Sequence, residues 1–481
     1  MSVYYCESCL TGENKYIDGG SLPIILSGDP TIIYATDFRC YEPLLEVIGN
    51  LNPLFDIGTG FNGNIFTITL QSDGKILVGG NFTSYSGVSR NYLIRLNTDG
   101  SIDTSFSIGT GFSGAVNAIE LQSDGKILVG GNFTSYSGVT SNRIIRLNTN
   151  GSIDNSFVIG TGFNTNQVQD IQLQTDGKIL VGGSFTSYSG VSSNRIIRLN
   201  TNGSIDNSFV IGTGFNTGQV QDIQLQTDGK ILVGGLFGSY SGVSRNNIIR
   251  LNTDGSVDNS FVIGGGTNSN VWSIKTQSDG KILVGGTFTS YSGVSRNRIV
   301  RLNTDGSIDT SFGIGTGFNS GVFTMQLQSD GKILVGGQFT TYSGVSRNYL
   351  IRLNTNGSID TSFVIGTGFN NSIRTIQLQP DGKILVGGDF TTLNSEPSSK
   401  FALILEEPIQ GEYAALELFS DCEVCNGYVI PISANTPSIM CFVCSGETTT
   451  VNPVRPVWSG LNGGAVTQMN AVLLGGNGLN S

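Results

Sequence analysis

The chain has 481 residues, of which 38% are hydrophobic, only 13% are charged and 68 are glycine, a composition that suits a turn-dense β protein better than a helical one. Its 36 acidic against 26 basic residues leave a net charge of −10, which excludes the clustered cationic surface that a nucleic-acid backbone requires. There is no histidine, which removes Ser-His-Asp and Cys-His nucleophiles, His-containing zinc protease motifs and His-ligated haem.

In chain order, Met1-Ser-Val-Tyr-Tyr-Cys6 carries no basic region and no apolar core, so no secretory leader is expected there. No apolar run reaches the roughly 20 residues that span a bilayer, and membrane insertion is not expected. Residues 1–46 read as a docking segment bearing Cys6, Cys9 and a separate Cys40, with strands expected at Ile24–Leu26 and Thr31–Tyr34.

From there the chain repeats. The string Asp-Gly-Lys-Ile-Leu-Val-Gly-Gly begins at Asp73, Asp124, Asp176, Asp228, Asp279, Asp330 and Asp381. In the second copy, Val116–Gln122 alternates apolar and polar residues, Asp124-Gly125 supplies a hairpin turn, and Lys126–Val129 is a second apolar run that Gly130-Gly131 is expected to end. A polar loop, Thr134–Gly138, leads to a third strand, Arg143–Leu147. The turn Asn148–Gly151 then leads to a fourth, Ser152–Phe157. Four antiparallel strands recurring seven times at this period predict an all-β, seven-bladed β-propeller over residues 47–407. The second turn occurs only six times, at Asn97, Asn148, Asn200, Asn252, Asn303 and Asn354, and gives way to Glu406-Glu407-Pro408 after Phe401–Leu405. Leu51–Phe55 matches Ile102–Phe106 and supplies the fourth strand that the seventh blade lacks, so an N-terminal strand is expected to close the ring.

With Leu-Gln-Ser-Asp-Gly-Lys-Ile-Leu-Val-Gly-Gly in one half and Arg-Leu-Asn-Thr-Asp-Gly-Ser-Ile-Asp-Thr-Ser-Phe in the other, the repeat resembles the delta-60 family of β-propeller proteins over roughly residues 51–405. That resemblance implies a fold and not a reaction. It points to secreted, surface-attached or phage proteins.

Residues 408–481 hold Cys422, Cys425, Cys441 and Cys444 and end in a Gly/Asn-rich tail. Two Cys-x-x-Cys pairs at this separation suit a four-thiolate zinc knuckle. Disulfides and free thiols are the rival readings, and Cys6, Cys9 and Cys40 are candidates for a second site. The terminal modules, with Cys40-Tyr-Glu and the Gly478-Leu-Asn ending, are similar to terminal segments of virion proteins from large tailed phages.

Within the repeat, Asn97–Asp103 partly matches a calcium loop, but Arg95 stands where the first ligand would be, so Asp103 is expected to meet Arg95. Phe82 and Tyr85, with Phe133 and Tyr136, are expected in inter-blade packing. Function is sought where the repeat fails. The first strand varies as Phe66, Asn117, Gln169, Gln221, Trp272, Phe323 and Arg374, and a position after the double glycine as Asn81, Asn132, Ser184, Leu236, Thr287, Gln338 and Asp389. If that strand is innermost, Phe66, Trp272, Phe323 and Arg374 would form a patch for sugar stacking or a protein contact. The carboxylates that break the symmetry are Glu120, Asp170, Asp222 and Asp389, and their spacing pairs none of them across a funnel.

These features predict a non-enzymatic structural and interaction platform in a phage virion, engaging other virion proteins, copies of itself or a host-surface glycan. The alternatives are a bacterial surface or secreted carbohydrate-binding propeller and a carboxylate-based glycan-cleaving enzyme.

Overall fold

In a computed structural model the described residues are 51–52 and 55–405, with strand residues 23–24, 33–34, 38–41, 425–430 and 439–444. The chain divides into two compact units, residues 47–406 and a second formed by 1–46 with 407–481.

The first unit is a propeller of seven blades, each with a three-stranded antiparallel sheet. In blade 1 the strands are Ile65–Leu70, Ile76–Gly80 and Leu93–Leu96; in blade 7 they are Ile373–Leu378, Ile384–Gly388 and Phe401–Ile404. The first strand of each blade lies against the first strand of the next, so these are the innermost strands. The Asp-Gly turn forms as expected: Gly74 adopts φ +83° and the Lys75 amide donates to Asp73 Oδ1 at 3.1 Å.

Four details differ from the sequence reading. The double glycine continues the second strand, which in blade 2 runs Ile127–Gly131, with a register shift between Gly130 and Gly131. A Cβ on Gly130 would stand 2.5 Å from Val168 Cγ1 of the next blade, so glycine is what lets the blades close up. The polar loop folds into its own hairpin, Ser135–Tyr136 with Val139–Thr140. The third strand begins at Ile144, since Arg143 sits at φ +68°. The expected fourth strand contracts to a single bridge, Leu147 with Ile153, because Asp154 turns inward to meet Arg146. The matching bridge in blade 7 is between Leu51 and Ile404, and the Asn52 amide donates to Leu403 O at 2.8 Å.

The core lies between blades. Phe61 packs on Phe82 at 4.6 Å and Tyr85 at 4.5 Å, in a cluster that also takes Leu385, Phe401 and Leu403 from blade 7. The Phe and Tyr columns are therefore inter-blade packing. Tyr85 adds a buried hydrogen bond from its hydroxyl to Gly100 O at 2.6 Å.

In the second unit, Pro23–Ile24 pairs with Ile33–Tyr34, and Phe38–Tyr41, Ile439–Cys444 and Cys425–Ile430 form a sheet in that order. Among the described residues, no helix is long and apolar enough to cross a membrane.

Candidate functional site

The repeat spends most of its ionic groups on itself. Arg95 Nε donates to Asp103 Oδ2 at 2.7 Å, its guanidinium stacks 4.5 Å from the Phe106 ring, and its Nη1 reaches Thr149 O of the next blade at 2.6 Å. Burial pushes the Asp103 carboxyl up, but the Ser105 hydroxyl and amide, with Arg95, outweigh it and bring the group down to about 2. The arrangement recurs through Arg352 and Asp360. Arg95 thus fills the calcium-like loop, and among the described residues no group of three or more Cys, Asp or Glu is gathered to hold a metal ion.

The variable row on the inner strands behaves differently. Trp272 and Phe323 lie with ring centroids 5.4 Å apart, and the Arg374 guanidinium sits 5.8 Å from the Phe323 ring and 5.4 Å from that of Phe66. The four residues, drawn from blades 5, 6, 7 and 1, therefore form one continuous patch of partly exposed side chains. Arg374 is oriented by a bidentate pair with Asp389, Nε to Oδ1 at 2.6 Å and Nη2 to Oδ2 at 2.8 Å. The two variable columns thus join in blade 7. The sequence shows both columns but not their contact, since 15 residues and a hairpin separate the partners.

Next to this row, three of the four symmetry-breaking carboxylates meet between neighbouring blades, a contact that their spacing does not show. Asp170 Oδ2 accepts from the Ile223 amide of blade 4 at 2.8 Å, and Asp222 Oδ2 accepts from the Ile274 amide of blade 5. Each carboxylate clasps the channel edge of the next inner strand, whose amides there have no ladder partner. Asp170 is held well above the usual carboxylate range by burial and then by Asp222, with Glu120 adding to the effect. Burial also raises Asp222, while Lys275 opposes the shift. Glu120 is pushed up to about 7 by burial, against a hydrogen bond from the Leu173 backbone and the charge of Lys275. Glu120, Asp170 and Asp222 therefore interact across three neighbouring blades. Sequence spacing hides this because adjacent blades bring residues about 50 positions apart into contact. Asp389, the fourth symmetry-breaking carboxylate, goes to Arg374.

Of the cysteines, Cys6, Cys9 and Cys422 lie outside the described residues. Cys40 is the strand partner of Cys441, and Cys425 of Cys444.

Seven segments, 71–106, 122–157, 174–209, 226–261, 277–312, 328–363 and 379–404, match the family described as a domain of unknown function (DUF5122) beta-propeller. No curated protein matches the sequence. Among solved structures, the chain is similar to the WD40 beta-propeller domain of Doa1, at 16% identity, TM-score 0.47, covering 72% of this chain and 94% of that one. It is also similar to the extracellular domain of a hybrid two-component system from B. thetaiotaomicron, at 16% identity, TM-score 0.46, covering 80% and 45%. A third is PorZ, a surface component of the type-IX secretion system of Porphyromonas gingivalis, at 14% identity, TM-score 0.41, covering 77% and 49%. The chain spans about half the length of these last two. With its seven matched segments covering just over half of its residues, the chain belongs to the DUF5122 β-propeller family.

Proposed function

We propose that the protein is a non-enzymatic interaction platform, a virion component that meets a host surface through the mouth of its propeller. The observation that carries this is the Phe66–Arg374–Phe323–Trp272 patch, which runs unbroken over four adjacent blades in the row where the repeat fails. Large, partly exposed aromatic side chains set beside a pre-oriented arginine are what a binding hot spot is made of. The use of Asp170 and Asp222 as inter-blade clasps supports a non-enzymatic role, because the Oδ2 of each is committed to a backbone amide of the next blade. The resemblance of the repeats to delta-60 propellers, and of the ends to virion proteins of tailed phages, supports the location. On this reading the cysteine-bearing ends dock the propeller onto neighbouring virion proteins or onto copies of itself, with zinc as a candidate structural ion.

Mass spectrometry of purified particles and of host cell fractions tests the location: recovery with the particles is expected, and recovery only from a cell envelope would replace it with the bacterial surface reading. Purified full-length chain should compete with particles for adsorption to host cells, and Trp272→Ala should compete at least tenfold less well. Equal competition by the variant would remove the mouth from the function.

A further inference from the structure

We infer, resting on the platform reading, that the mouth takes an uncharged glycan, stacked on Trp272 and Phe323 and hydrogen-bonded by Gln221 and Asn270. Among the described residues, buried side-chain polar atoms without a hydrogen-bond partner fall into two groups. One recurs with the repeat, at Oε1 of the turn residues Gln71, Gln122, Gln174 and Gln226, and belongs to the scaffold. The other breaks the repeat: Gln221 Nε2, Asn270 Oδ1, Trp272 Nε1 and Thr276 Oγ1. Gln221 and Asn270 are only 9% and 8% exposed. All four lie on, or lead directly into, the inner strands of blades 4 and 5.

Register shows how the first three relate. Gln221 and Trp272 occupy the same bulged place in consecutive blades, between Val220 and Asp222 and between Val271 and Ser273. Asn117 holds that place in blade 2, where its Nδ2 reaches Val168 O of blade 3 at 2.9 Å and Gln167 Oε1 at 3.4 Å. Gln167 precedes Val168 as Asn270 precedes Val271. Gln221 and Asn270 are therefore the counterparts of a bonded pair, at the seam beside Trp272, and they leave a donor and an acceptor unused. Leaving such groups buried and unpaired costs free energy that a matching ligand group recovers.

The ligand chemistry follows from three features. An aromatic pair 5.4 Å apart offers a face to the C–H side of a pyranose ring. Two donors and an acceptor beside it match hydroxyl groups, which both donate and accept. Arg374, the cation of this row, is spent on Asp389, and Lys275, farther along the blade 5 strand, lies among the carboxylates Glu120 and Asp222, so a carboxylated sugar at the aromatic row competes with carboxylates already present for either cation.

Titration calorimetry on the full chain, with neutral hexose tetrasaccharides and uronic-acid tetrasaccharides as probes, tests the inference. A neutral tetrasaccharide should bind, and the acidic series should bind at least tenfold more weakly. Trp272→Ala should abolish binding. Trp272→Phe, which keeps a ring but loses Nε1, should weaken it by about 2–12-fold, the range expected for one hydrogen bond, as should Gln221→Ala and Asn270→Ala. Circular dichroism establishes that each variant is folded. Equal or tighter binding of the acidic series would overturn the neutral class and leave the mouth standing. Binding unaffected by the Gln221 and Asn270 variants would overturn their role. No saccharide binding, with competition for host adsorption still lost in Trp272→Ala, would overturn the glycan and leave the platform reading intact.

Discussion

Gly182 is the sharpest test of why the double glycine is there. A Cβ at this position would lie 2.5 Å from Val220 Cγ1 and 2.9 Å from Ile223 Cδ1, both on the inner strand of the next blade. Carbon atoms pack best at about 3.5–4.0 Å, so Gly182→Ala must open the blade 3/4 seam by about 1 Å or force Val220 off its rotamer. Overpacking of this kind costs about 1–3 kcal/mol, while alanine in a strand recovers roughly 0.5–1 kcal/mol relative to glycine. The net expectation is a loss of up to about 2.5 kcal/mol, read as a lower urea midpoint by circular dichroism. Val220→Ala alone removes buried methyl groups, at a cost on the order of 2 kcal/mol. Combined with Gly182→Ala it also removes the clash, so the double variant should be at least 1 kcal/mol more stable than the sum of the single effects predicts. A stabilised Gly182→Ala, or strict additivity in the cycle, would refute the close-approach argument.

Two further predictions concern the ionic groups. Arg146→Ala removes the 2.7 Å pair with Asp154, the stack 4.8 Å from Phe157 and the bond to Thr201 O, and leaves the buried Asp154 carboxylate with only Lys126 at 3.3 Å and Ser156 as partners. Because those partners still compensate part of the charge, a loss of about 2–3 kcal/mol is expected, below the range for a fully unpaired buried carboxylate. Arg146→Lys should not restore it, because an ammonium cannot reproduce the stack and the fork; a wild-type urea midpoint for the lysine variant would contradict this. The thermal midpoint should also pass through a maximum in mildly acidic solution. Asp103 is lowered to about 2, so its stabilisation is present above the usual aspartate value and is lost as pH falls through 2. Glu120 is raised to about 7, so its contribution is full below about 4.5 and is lost as pH rises through 7. Glu120→Gln should flatten the upper limb, by on the order of 2 kcal/mol between pH 5 and pH 8. An unchanged upper limb in that variant would show that Glu120 is not the group titrating.

The blade count, the hairpin at Asp73-Gly74, the third strand, the Arg95–Asp103 pair and the two variable columns could all be read from the sequence. Each is local or recurs seven times, so periodicity and turn chemistry expose it. The contact of Arg374 with Asp389 and both phenylalanine rings was not legible, and neither was the interaction of Glu120, Asp170 and Asp222. Those groups sit in different strands or different blades, and only the ring brings them together.

By itself the sequence determined the fold class, because each repeat carries an apolar alternation that cannot be buried alone and must stack on its neighbours. The tertiary structure decided what the exceptions mean. Glu120, Asp170 and Asp222 became seam groups because the inner strand of the next blade offers unpaired amides, and Phe66, Trp272, Phe323 and Arg374 became one surface because blades 5, 6, 7 and 1 are consecutive around the axis.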